Sequence, residues 1–162
     1  MEYKNCNMEK IVLDNISIKS NLVGYHYSVS SGIKKFFTTD CMFIEYEEDM
    51  TNVPTSILTI PFVNCMAGLS WLADCVLFVD EIDATYYDSF KDLKVAYNEL
   101  HRYMDLKGML VPSKIVENKI NTTNNKGLLL WGGGVDCHTS FIQNKENISH
   151  ILNIYGWLNK VD

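Results

Sequence analysis

The sequence predicts an α+β protein: an antiparallel N-terminal meander with helices, followed by a partial parallel βαβ unit. Three observations predict it. Val23, Tyr25, Tyr27 and Val29 alternate with Leu22, Gly24, His26 and Ser28, the period of two that marks strands. Tyr86, Phe90, Leu93, Tyr97, Leu100 and Met104 recur at steps of four and three, one apolar stripe on a helix. Near the end, an apolar run, a glycine-rich turn, a helix start and a second apolar run follow one another.

Along the chain, Ile11 and Leu13 lie on one phase and Ile16 and Ile18 on the other, so a bulge or break is expected near Asp14-Asn15. Ser30-Ser31-Gly32 supplies a turn, after which Ile33 to Phe37 is expected to return as a strand. Met42, Ile44 and Tyr46 alternate again. Ile60 to Ala73 is apolar and too long for a simple strand; Pro61 suits a first helical turn, so a buried helix is expected. Cys75 to Val79 reads as a short buried strand. Thr85 with Asp88 resembles a capping box for the Tyr86–Met104 helix, and Gly108 and Pro112 end that region. The polar run Asn118 to Lys126 reads as a linker, giving residues 1–125 as the α+β domain and 126–162 as the βαβ unit.

Composition narrows the function classes. A length of 162 residues suffices for one compact domain with a sizeable core. The net charge of -6 argues against nucleic acid as the main partner. No apolar run approaches the roughly 20 residues of a membrane helix, and Glu2, Lys4 and Asn5 are not the opening of a secretory signal. No membrane partner is expected. The five cysteines, at 6, 41, 65, 75 and 137, include no CxxC pair, so reduced thiols and a cytoplasmic location are the simplest expectation.

The chemistry-bearing segment is Gly127–Trp131, then Gly132-Gly133-Gly134-Val135-Asp136-Cys137, then His138 to Ile142. A helix N-terminus exposes unpaired N–H groups and a partial positive charge. Glycines let the backbone approach a phosphate without Cβ interference. A carboxylate in the loop, Asp136, can hold a metal that neutralises phosphate. His150 to Tyr155 would be the returning parallel strand. The segment is not a Walker A loop, lacking Gly-Lys-Ser/Thr, and GxGxxG fails at its last glycine.

This loop resembles the pyrophosphate-binding loop of the ATP-pyrophosphatase (PP-loop, adenine nucleotide alpha-hydrolase-like) superfamily, usually Ser-Gly-Gly-x-Asp-Ser. Gly133, Gly134 and Asp136 match; Gly132 and Cys137 stand where the two serines belong. Upstream, Ser56 to Asp83 and the tyrosine-rich helix after it are more distantly similar to muramoyl-peptide glutamate epimerase-type proteins. The resemblance implies ATP and Mg2+ as cofactors and adenylation of a carboxyl or carbonyl substrate. It implies backbone phosphate contacts at Gly133 and Gly134, and metal or pyrophosphate positioning at Asp136. Further nucleotide contacts would fall along Gly132, Val135, Cys137 and Thr139. The superfamily's nucleotide domain has several parallel strands; two are expected here, so the unit reads as truncated, split or degenerate and is expected to be inactive alone. A second copy or a second subunit is expected to cover the incomplete sheet. The alternative class is a non-catalytic interaction or regulatory module with a relic loop.

Other clusters read as structural. Asp80, Glu81 and Asp83 can bind a divalent metal but fit a solvated loop before a capped helix better. Cys137 and His138 are adjacent on a helix and point about 100° apart, which disfavours a catalytic dyad.

Overall fold

A computed structural model of the chain describes residues 8–119 and 127–153. The chain divides into two compact units, Met1–Asn118 and Lys119–Asp162.

The first unit is built on a five-stranded sheet. Strands β1 (Lys10–Lys19), β2 (Leu22–Val29) and β3 (Cys41–Glu45) form the expected antiparallel meander. Strands β4 (Val76–Asp83) and β5 (Met109–Val116) then add in parallel on the other side of β1, for the order β3-β2-β1-β4-β5. The phase change in β1 is a register shift between Leu13 and Asn15, as the alternation implied. It lets Ile11 and Leu13 as well as Ile16 and Ile18 pack on the core.

Two helices cover one face of this sheet. Helix α1 (Thr55–Leu72) carries the chain from β3 to β4, and helix α2 (Ala84–Leu100) from β4 to β5. Both crossovers join parallel strands and step across the sheet in the same direction, so right-handedness places both on the same side. Trp71 of α1 accordingly packs on Phe90 and Tyr97 of α2, ring centroids 5.3 and 5.5 Å apart. Phe62 lies on Tyr25 and Tyr27, and with Leu58, Val63 and Leu77 they form the centre of the core.

Several elements differ from the sequence expectation. Ile33 to Phe37 is not a strand but a turn and a 3-10 helix, Lys34–Phe36. Buried Ile33 and half-buried Phe37 are four residues apart, a helical spacing, and β2 takes β3 as its outer neighbour. Helix α1 begins earlier, with Pro54 as N-cap, and Pro61 lies inside it rather than in its first turn. By length and composition α1 qualifies as a membrane span, yet half of it is buried inside the protein. The strand expected at Cys75–Val79 runs on to Asp83, so the acidic cluster lies on β4, not in a loop. Helix α2 ends at Leu100, and of its stripe only Phe90 is fully buried; Leu93, Tyr97, Leu100 and Met104 are exposed. Strand β5 occupies the segment that Gly108 and Pro112 were expected to terminate. The Met109 N–H donates to the Cys75 carbonyl. Amides two residues on therefore face β4, and the donor that Pro112 lacks falls on the free edge, where it blunts strand addition.

The second unit is a parallel βαβ arrangement. Strand β6 (Gly127–Leu130) leads into helix α3 (Val135–Asn144), and strand β7 (Ile148–Leu152) returns beside β6. The return strand starts two residues before the expected His150; Tyr155 lies outside the described residues.

The α1–β4 turn depends on Gly108. Helix α1 ends with Asp74 in the left-handed region (φ 51) and the Cys75 N–H bonded back to the Ser70 carbonyl at 3.0 Å, a Schellman turn. A Cβ on Gly108 would overlap the Ser70 carbonyl group and the Cys75 carbonyl oxygen. Gly108→Ala is therefore expected to cost about 1–3 kcal/mol or more through backbone displacement. Gly68, in the interior of α1, meets nothing within 4 Å. Gly68→Ala should instead stabilise by roughly 0.5–1 kcal/mol. Urea unfolding of the two variants tests the contrast; equal effects would contradict it.

Candidate functional site

The glycine loop occupies Trp131 to Gly134, between the end of β6 and the start of α3. Gly133 has φ +77, a conformation that side-chain-bearing residues seldom adopt. Gly134 is the N-cap of α3, in extended conformation, and provides no side-chain cap. The first amides of α3, at Val135, Asp136 and Cys137, have no intrahelical acceptor. A Cβ placed on Gly132, Gly133 or Gly134 would meet nothing within 4 Å, so the approach to the loop is open. Asp136 is the acidic residue of the first turn and is exposed, where its charge also favours the helix dipole. Val135 and Thr139 are exposed too, and Cys137 is half-buried.

The structure thus brings Gly132, Gly133, Gly134, Val135, Asp136 and Cys137 into one turn around a helix start, with Thr139 further along the helix. Cys137 turns back on the loop: the Gly132 N–H donates to its Sγ at 3.2 Å. His138 pairs elsewhere, its Nδ1 lying 3.0 Å from the Gly134 carbonyl and its ring 4.6 Å from the Trp131 ring. Cys137 and His138 therefore serve different partners, and no nucleophile–base pair forms between them. Trp131 is half-buried and braces α3 through His138 and Phe141. Its indole one residue before the glycines was the available signal for that bracing.

The loop offers backbone amides to an anion and a single carboxylate, Asp136, to a cation. Among the described residues, no group of three or more His, Cys, Asp and Glu side chains converges. Asp136 would meet a cation only as one ligand, the phosphates supplying the others.

No family model, curated protein or solved structure matches the chain.

The acidic cluster on β4 is structural. Asp80 is exposed, Glu81 pairs across to Lys114 of β5 at 3.6 Å, and Asp83 is 5% exposed. Asp83, not Thr85, caps α2: its Oδ1 accepts from the Tyr86 N–H at 2.8 Å. Thr85 is already inside the helix, and Asp88 bonds Lys91 instead. Asp83 Oδ2 accepts from the Asn118 side chain at 3.0 Å, and the same amide donates to Ser56 Oγ at 2.9 Å. The Tyr86 hydroxyl donates to Asn64 of α1 at 2.7 Å, and burial pushes its pKa up to about 12. Sequence reasoning missed Ser56, Asn64 and Asn118, whose partners lie far away along the chain.

Among the described cysteines, 41, 65, 75 and 137 are free thiols, as expected, and burial raises the Cys75 pKa to about 11. Cys6 lies outside the described residues.

The Asn118 amide, and next the Tyr86 N–H, hold the Asp83 carboxyl below its ordinary value of 3.8. The folded state thus binds fewer protons there than the unfolded chain. That contribution is complete above the unfolded pKa and is lost as pH falls through the folded one. The stability difference between wild type and Asp83→Asn should be constant from about pH 7 to 5 and shrink below about pH 4. Urea unfolding across that range checks this; a difference that widens on acidification contradicts it.

Proposed function

We propose that residues 127–153 form a pyrophosphate-binding loop of the ATP-pyrophosphatase kind, which takes the phosphates of ATP with Mg2+. The observation that carries this reading is the order strand, Gly133 at φ +77, Gly134 as a bare N-cap, then α3, with β7 returning in parallel. Gly133 and Gly134 let the backbone come close, and the amides of Val135 to Cys137 point toward an incoming anion. Asp136 meets the Mg2+ that the phosphates bring. Gly132 and Thr139 complete the rim. In a full nucleotide domain of this kind, the reaction would be adenylation of a carboxyl or carbonyl group.

The second reading, a non-catalytic interaction or regulatory module with a relic loop, is favoured by Gly132 and Cys137. Gly132 has no hydroxyl to offer, and its amide is engaged by Cys137 Sγ. A thiol is also a weaker donor than a hydroxyl. Both readings agree that this chain alone does not release AMP and pyrophosphate from ATP.

Titration calorimetry with Mg2+ and pyrophosphate separates them. Metal-dependent binding that weakens at least tenfold in Asp136→Ala and in Gly133→Ala, about 1.4 kcal/mol, supports the first reading. No binding by the wild-type chain leaves the module. AMP release by purified protein, abolished by Asp136→Ala, would overturn the expectation shared by both.

The same reading calls for a cover over the β6–β7 sheet by a second copy or a separate subunit. Leu128 is 60% exposed, Leu130 58% and Ile151 52%. Each such side chain forgoes about 1.5–3 kcal/mol of burial, against a net domain stability of about 5–15 kcal/mol. Sedimentation of the chain at micromolar concentration should show self-association, or dye-binding apolar surface if the partner is another protein. A monomer without dye binding contradicts the expectation.

A further inference from the structure

Three segments meet at the carboxyl ends of β4 and β5. Ser56 opens α1 and is fully buried; Asp83 closes β4 and caps α2; Asn118 follows β5 by two residues and is the last residue of the first unit. Both hydrogens of the Asn118 amide are used, one on Ser56 Oγ and one on Asp83 Oδ2. The two oxygens of Asp83 divide the work. Oδ1 caps α2 through the Tyr86 N–H, while Oδ2 faces Asn118. The helix therefore keeps its cap whether or not Asn118 is in place. Around Asn118, Ile115, Glu117 and Lys119 are exposed, and β5 is the free edge of the sheet.

We infer that Ser56, Asp83 and Asn118 form a releasable clasp, which fixes where the chain leaves the first unit and can open without unfolding it. The inference is independent of the nucleotide reading. Opening breaks the two hydrogen bonds of the Asn118 side chain, one of them to a carboxylate. The core and the α2 cap stay formed, which makes this a local opening rather than a step of global unfolding.

Hydrogen exchange on the full chain, read by mass spectrometry, tests the clasp. In Asn118→Ala, the amides of residues 117–119 should exchange on the order of tenfold faster, the scale of one hydrogen bond to a charged group. The amides of β4 and of the first turn of α2 should stay within about twofold of wild type. The exchanged pair Asp83→Asn with Asn118→Asp keeps a donor on one side and a carboxylate on the other. The new amide oxygen at position 83 can still accept from the Tyr86 N–H, and the Ser56 hydroxyl can donate to the new carboxylate at position 118. This variant should return exchange at 117–119 toward the wild-type rate. The clasp is overturned by unchanged exchange in Asn118→Ala. It is equally overturned if exchange accelerates as much in β4 and α2, or if the exchanged pair does not recover.

Discussion

The first unit depends on a single crossing. After the meander the chain stands at β3, on the far side of β2 and β1 from where β4 must lie. Crossing two strands under a sheet requires a long covered connection, and α1, about 27 Å at 1.5 Å per residue, spans it. Its apolar character on nearly all sides follows from that position. One side meets the tyrosines of β2 through Phe62, another meets α2 through Trp71, and Leu58, Val63 and Met66 fill the space between. A proline inside the helix is tolerated because tertiary packing, not propensity, holds it. With both helices on one face, the other face keeps buried Val76 and the half-buried row Val12, Phe78 and Val111, and Phe43 stands largely exposed on it.

Where burial is one-sided, the sequence is legible. The meander was readable because each strand has a core face and a solvent face, and even the shift at Asp14-Asn15 showed as a change of phase. Strand β5 was not readable. It lies at an edge, pairs only with a distant strand, and carries a proline whose lost donor costs nothing on the free side. The α2 stripe misled in the opposite direction. Its 3–4 spacing reports a helix correctly, but the core ends near Phe90 and Tyr97, so the stripe outlasts what it packs against. The cap of α2 is hidden in the sequence because Asp83 continues the acidic run of Asp80 and Glu81. Burial on β4 is what separates Asp83 from exposed Asp80.

For the loop, the order of elements was legible and the internal pairing was not. Strand, glycines, helix and returning strand follow from apolar runs and glycine positions, which are local. That Gly133 alone takes positive φ, while Gly132 and Gly134 keep ordinary backbone, depends on how the turn closes. The Cys137 contact with Gly132 joins residues five apart across the turn and cannot be seen as a pattern. Its consequence is chemical: the thiol occupies the Gly132 amide, so in a loop that bound an anion there it would be a weak competitor.

The two units differ in what holds them together, and that difference bears on the proposed chemistry. The first encloses a continuous cluster from Ile11 to Leu110. In the second, no described residue is buried; the strand pairing and the contacts of Trp131 with His138 and Phe141 are its main internal supports. With few buried apolar contacts, the described part of this unit has little local stability of its own. Whatever binds its folded form, whether a phosphate ligand at the start of α3 or a protein over β6 and β7, contributes its binding free energy directly to that folding. A helix start that held phosphate would thus be ordered in part by the ligand itself. Binding there should be weaker than the loop geometry alone suggests, because part of the interaction energy goes to ordering the unit. A partner on the sheet would remove that cost and tighten binding at the loop without touching it.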